Sequence, residues 1–135
     1  MTQPAPHHAL AALGEERFVS LTTFRRSGEA VPTPVWIARD GDTLVVTTPA
    51  ESGKVKRLRN DPQVELRPCS RTGKVAEGTA PVAGSVQILT DEHSRERLTA
   101  VIRRKYRLEY RVTMAVERLV ARRQKRRVLL RITLA

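Results

Sequence analysis

Residues Thr43-Leu-Val-Val-Thr-Thr-Pro-Ala-Glu-Ser-Gly-Lys-Val-Lys-Arg-Leu-Arg59 decide how this chain is read. The β-branched and aliphatic run Thr43 to Thr48 predicts a strand. Pro49 to Gly53 breaks that pattern as a loop. Val55 and Leu58, three apart, give one buried stripe to a short helix over Lys54 to Arg59. Asn60-Asp61-Pro62 ends it, because proline disfavours the helical conformation in the residue before it. Two hydroxyls at a strand end, a Ser-Gly loop and a helix opening on Lys54, Lys56 and Arg57 make an anion site. Helix amides point at the ligand, hydroxyls donate to it and cations neutralise it, while Gly53 lets the backbone approach. The same residues also describe a solvated basic helix behind an ordinary strand.

Towards the N-terminus, Arg17 to Phe24 reads as a strand ending at Ser27-Gly28. Ala30 to Ile37 carries Pro32 and Pro34, which exclude it from a central ladder position and predict an irregular or edge strand. Asp40-Gly41 is a tight hairpin signal into the strand at Thr43. Towards the C-terminus, Gln63 to Pro68 is a fourth strand and Ser70 to Gly73 a turn. Val75 to Leu89 is a long strand in which Gly78, Pro81 and Gly84 predict bends or bulges. Asp91 to about Arg104 is helical, acidic first and basic last, with Leu98, Val101 and Ile102 as its stripe. About Tyr110 to Arg123 is also helical, with Met114, Leu119 and Val120 apolar, and the two stretches make one helix or two. In Arg127 to Leu134 the alternating Val128, Leu130, Ile132 and Leu134 predict a half-buried strand. Short antiparallel strands with bends predict a small barrel whose ends the helices close.

The 135 residues suit one domain. Residues 1 to 13, with His7 and His8, are expected to be a flexible tail or a short helix, and 14 to 135 the domain. A hydrophobic content of 40% supports a packed core, built mainly from aliphatic residues because aromatics are only 4%. One cysteine, Cys69, permits no intrachain disulfide and, with three histidines, no recognisable zinc site. No metal is expected. The N-terminus lacks a signal-peptide pattern and no stretch is long and apolar enough to span a bilayer. A soluble, cytoplasmic protein with no membrane partner is the expectation. The net charge of +11 favours an anionic partner: nucleic acid, a membrane surface, or a phosphorylated or polycarboxylate small molecule. The chain lacks a G-x-G-x-x-G after a strand and a G-x-S-x-G elbow. Cys69 has no base to activate it.

The succession Phe18-Val-Ser-Leu-Thr-Thr-Phe24, Val31-Pro-Thr-Pro-Val-Trp36, Leu44-Val-Val-Thr-Thr48, Ser52-Gly-Lys-Val-Lys-Arg-Leu-Arg-Asn-Asp-Pro62 and Glu77-Gly-Thr-Ala80 resembles a known family. It is similar to the flavin/deazaflavin oxidoreductases of the pyridoxamine-phosphate-oxidase-like class, and most to their short actinobacterial subgroup dependent on coenzyme F420. The resemblance covers residue 14 to the end. It implies a mainly β fold with helices, a six-stranded antiparallel split β-barrel of the FMN-binding type, as a homodimer with cofactor at the interface. It implies F420, or alternatively FMN, as cofactor. Carried over by position, Lys54, Ser52 and Lys56 would contact the cofactor phosphate, and Thr47 and Thr48 the phosphate or ribityl chain. Thr33, Pro34, Val35 and Trp36 would lie along the ring. Many relatives have an arginine at or beside Ser52, and Lys56 or Arg57 would replace the missing cation.

The function this implies is hydride transfer between the deazaflavin and a small-molecule acceptor. No catalytic side chain is assignable. Tyr106 and Tyr110 are candidate proton donors for which core packing is the better reading. The alternatives are an FMN-dependent oxidoreductase of the same fold, or a non-catalytic module holding F420, haem or another tetrapyrrole. Arg103-Arg104-Lys105 and Arg122 to Arg127 would suit phosphates, but the aromatics needed for base stacking are scarce, so nucleic acid is not the expected partner.

Overall fold

A computed structural model describes residues 6–121 and 126–135. The elements in chain order are α1 (Pro6–Glu15), β1 (Val19–Phe24), β2 (Ala30–Val35), β3 (Ala38–Asp40), β4 (Thr43–Pro49), α2 (Gly53–Asn60), β5 (Gln63–Pro68), β6 (Val82–Leu89), α3 (Glu92–Ala121) and β7 (Arg127–Leu134). All strand pairs are antiparallel, in the order β2-β1-β5-β6-β7-β4-β3.

That order dictates a curled sheet. β2 and β3 lie at opposite edges, yet only Trp36 and Ile37 separate them along the chain. A flat seven-stranded sheet would hold its edges about 29 Å apart, while three residue steps reach at most about 11 Å. The edges must therefore come together, which makes the sheet a split barrel. The expected six strands become seven because β2 ends at Val35, Trp36-Ile37 leaves that edge, and Ala38–Asp40, outside any expected strand, joins the other edge as β3. β2 is an edge strand as its prolines require, in register with β1 from Val19↔Val35 to Phe24↔Ala30. Two missing N–H groups cost nothing on its open side and discourage pairing with another chain.

Alternate residues of β1, β4, β5 and β7 fill the barrel, among them Leu21, Leu44, Val46, Leu66, Leu130 and Ile132, all fully buried. α1 adds Leu10 and Leu13 to this core, so the expected boundary at residue 13/14 falls within a packed helix. α2 closes one barrel mouth with Val55 and Leu58. A second core lies outside, where Leu98, Ile102, Tyr106, Tyr110 and Met114 of α3 cover Ala38, Val45 and Leu129. β7 is consequently buried on both faces over Val128 to Leu130 rather than half-buried.

Two further expectations are corrected, and one left open is resolved. β6 starts at Val82, not Val75, because Ser70–Gly73 and Ala76–Thr79 close local turns, with Gly73 at φ 94° and Gly78 at φ 82°. Gly84 makes no bulge: it pairs regularly with Val64 and Leu134, and its missing Cβ leaves room for the Thr133 carbonyl. The two helical stretches run on as α3, kinked at Arg107, whose φ of 33° and ψ of −101° are not helical. Leu119, one of the apolar residues of the second stretch, is 81% exposed beyond that kink.

Candidate cofactor site

The end of β4, the start of α2 and the end of β2 meet at one cavity of about 220 Å³. Pro34, Val35, Trp36, Thr47, Thr48 and Lys54 line it, six of the ten residues singled out from sequence. Phe18, Pro49, Thr113, Met114 and Arg127 complete the wall.

One end is polar and cationic. Lys54 Nζ donates to Thr48 Oγ1 at 3.3 Å, and Thr48 and Ser52 hydroxyls lie 3.3 Å apart. Ser52 is the N-cap of α2, but its side chain makes no cap hydrogen bond, so the first-turn amides keep their unpaired donors. Burial holds the Lys54 ammonium below its usual pKa, and the Arg57 and Arg127 guanidiniums push it the same way. Among the described residues no ion pair includes Lys54. Lys54, half-buried and without a carboxylate of its own, favours an incoming anion, because an anion relieves both its desolvation and its repulsion from the neighbouring guanidiniums.

Arg127 enters from the first residue of β7, opposite Pro49 in the ladder. Its Nε donates to Thr47 Oγ1 at 3.1 Å, Nη2 to the Thr47 carbonyl at 3.3 Å and Nη1 to Glu117 Oε1 at 2.8 Å. This guanidinium, rather than Lys56 or Arg57, stands in the cavity wall with Lys54. Lys56 is exposed on the far side of α2. Arg57 turns back over the helix start: its Nε donates to Thr23 Oγ1 at 2.7 Å, and a Cβ on Gly53 would come 2.9 Å from its Nη1. Gly53 thus makes room for Arg57, where the sequence suggested room for a ligand.

The other end is apolar and flat. Trp36 stacks on Tyr106 with ring centroids 4.7 Å apart and planes 13° from parallel. Tyr106 is held in turn. Its hydroxyl accepts from Ile37 N–H at 2.9 Å and lies 2.8 Å from the Arg17 carbonyl and 3.0 Å from that of Ile37, one of which takes its proton. Lys105 Nζ donates to the Gly14, Glu16 and Ile37 carbonyls at 2.8, 2.5 and 2.6 Å. These contacts fix the crossing from β2 to β3. Tyr106, buried and bonded to backbone, is core as its sequence suggested. Thr33 faces inward opposite Leu21, outside the cavity wall, and its buried hydroxyl has no partner among the described residues.

The small cavity adjoins larger ones. It shares Thr47 and Arg127 with a trough of about 580 Å³ that Arg95, Arg103 and Arg126 also line, beside Glu92 and Glu96. Arg103 and Tyr110 lead on to a further cavity of about 550 Å³, where Arg111 and Arg118 stand. Of the missed wall residues, Arg127 carried no local signal; only the β4–β7 register brings it to Pro49. Thr113 and Met114 arrive through the kink of α3.

A split barrel with a cationic, hydroxyl-lined pocket at the β4–α2 turn is a flavin-type cofactor-binding fold. The chain belongs to the pyridoxamine 5'-phosphate oxidase family, whose model matches residues 5–135 and which includes flavin-dependent oxidoreductases. Solved structures share the fold at low identity. An FAD-binding protein from Mesorhizobium loti is 14% identical over 97% of this chain and 88% of its own, with a TM-score of 0.68. An F420 reductase is 18% identical over 92% and 91%, with a TM-score of 0.59. An FAD- and haem-binding protein from Mycobacterium smegmatis is 14% identical over 98% and 68%, with a TM-score of 0.62. No curated protein matches the chain.

Proposed function

We infer that the protein binds coenzyme F420 and uses it in an oxidoreductase reaction on a small-molecule acceptor. The observation that carries this reading is Lys54, half-buried beside Thr48 and the Arg127 guanidinium with no carboxylate partner. A phosphate fits that end of the cavity, and a flat ring fits against Trp36, Pro34 and Val35. Ser52, Thr47 and Thr48 would serve the phosphate and its chain. Arg57 and Lys56 have only a long-range electrostatic part, and Thr33 supports β2 from inside the barrel. When bound, the reduced deazaflavin supplies a hydride from its C5 carbon. The chain's own residues bind the phosphate, support the ring and exclude water with Phe18 and Met114.

The arginine-lined trough favours F420 over FMN. FMN ends at its phosphate, whereas F420 continues as a polyglutamate chain whose charges complement Arg95, Arg103 and Arg126. A homodimer belongs to this reading, because the exposed Pro34 side of the cavity is where a second subunit would complete the wall. Titration of the purified protein with F420 and with FMN tests it. The expected result is saturable F420 binding that Lys54→Ala weakens roughly 10–100-fold, the value of one charge-assisted hydrogen bond. Tight FMN binding without F420 binding would replace the cofactor. Affinity unchanged by Lys54→Ala would remove the site.

A further inference from the structure

The part of α3 beyond Arg107 presents two unlike faces. Tyr110 and Met114 point inward, 9% and 5% exposed. On the opposite side Leu108 is 70% exposed, Val112 54%, Val116 52% and Leu119 81%. Spaced four, four and three residues apart, they fall within about 80° of arc and form one continuous stripe. Large apolar side chains exposed in line mark an interaction surface, unlike singly scattered ones. Arg111 and Arg118 are exposed on this half of the helix, between the stripe and the Tyr110–Met114 side, and Arg104 and Arg107 are exposed just before it. Its one exposed acid, Glu109, is already paired with Arg17.

We propose that this helix face seats the protein on an anionic lipid membrane surface. The apolar stripe enters the boundary between headgroups and acyl chains, and the arginines engage lipid phosphates. Charge selects this occupant. A second copy docked on the same face would bring the arginines that border the stripe towards their own copies, in a protein of net charge +11. A nucleic acid would satisfy the arginines and leave the stripe in water. A lipid surface accommodates both. No described helix is long and apolar enough to cross a membrane, so the association is peripheral. The expectation of no membrane partner rested on spanning segments and gave this face no weight. The proposal is independent of which cofactor the barrel binds.

Co-sedimentation of the full chain with vesicles tests it, using phosphatidylcholine alone and phosphatidylcholine with about one-third phosphatidylglycerol. The protein sediments with the anionic vesicles and not with the neutral ones, and added salt weakens binding. The double variant Leu108→Ser/Leu119→Ser lowers affinity about a hundredfold, roughly tenfold per leucine withdrawn from the interface. Both positions are exposed, so its thermal melt and cofactor titration match the parent. Failure of the parent to bind anionic vesicles overturns the proposal. So does unchanged binding by the variant, which would assign the association to overall charge. So does a solution dimer that the variant dissociates while vesicles capture nothing, which would place a second copy on the stripe.

Discussion

Tyr106→Phe removes one oxygen from the joint that holds the cofactor cavity together. The ring stays, 1% exposed, and so does its stack on Trp36. What disappears is the acceptor for the Ile37 N–H and the donor to the Arg17 or Ile37 carbonyl. Ile37 is fully buried, so its N–H is left with neither protein nor water. An orphaned buried donor costs about 1–3 kcal/mol and a lost net hydrogen bond about 1 kcal/mol, giving about 2–4 kcal/mol in all. For a domain of this size that lowers Tm by about 7–14 °C. The chain has one tryptophan, so Trp36 fluorescence in urea follows unfolding from beside the lesion. A loss under about 0.5 kcal/mol would show that the hydroxyl does not hold the crossing. Burial pushes the Tyr106 pKa up to about 12, against the opposing pull of the Ile37 hydrogen bond and Arg17. The folded chain thus keeps a proton that the unfolded chain loses near pH 10. This phenol's contribution is fully present below pH 10 and is lost as pH rises towards 12. Lys105 acts with the opposite sign. Burial, with Arg17, lowers its pKa to about 8, so stability rises from pH 8 towards 10.5. The difference between parent and Tyr106→Phe isolates the phenol, and a difference that stays flat from pH 9 to 12 refutes the assignment.

Arg107→Gly raises stability by about 1 kcal/mol, because the strain of φ 33° outweighs the extra freedom glycine brings to the unfolded chain; a lower Tm contradicts it. Gly84→Ala costs about 1–3 kcal/mol in urea denaturation, because its Cβ would stand 3.0 Å from the Thr133 carbonyl and 3.2 Å from Ile132 Cγ2. Arg127→Met weakens F420 binding in titration by about tenfold or more, whereas Arg57→Met, whose guanidinium is committed to Thr23, weakens it less. Equal effects would return Arg57 to the clamp.

Strand positions were legible wherever local chemistry decides them. The hydroxyl-ended run at Thr43 to Thr48, the Asp40-Gly41 hairpin and the proline-marked edge need only neighbouring residues to be read. The misreadings occur where a distant element intervenes. Within Val75 to Ala80 only Val75 and Thr79 favour a strand, the segment joins no ladder, and turns at Gly73 and Gly78 take backbone bonds instead. Leu129 sits on the polar side of an alternating pattern, yet α3 buries it. Leu119 is apolar like Met114, but five residues on it lies about 140° around the helix and faces away from the core, and nothing in Arg107's identity announces a positive φ.

The candidate site divides along the same line. Thr47, Thr48, Ser52 and Lys54 lie within eight residues, so a strand, a loop and the first turn of a helix are enough to gather them. Arg127 lies 79 residues after Thr48 and joins them only because β4 pairs with β7 in one register, Pro49 against Arg127. A one-residue slip would carry its side chain to the other face of the sheet. That register is held by the burial of Val46 against Leu130 and of Leu44 against Ile132, core residues with no chemistry of their own. The second cation of the candidate cavity therefore depends on barrel packing. A core variant that loosened the β4–β7 register would be expected to weaken anion binding before it unfolded the chain.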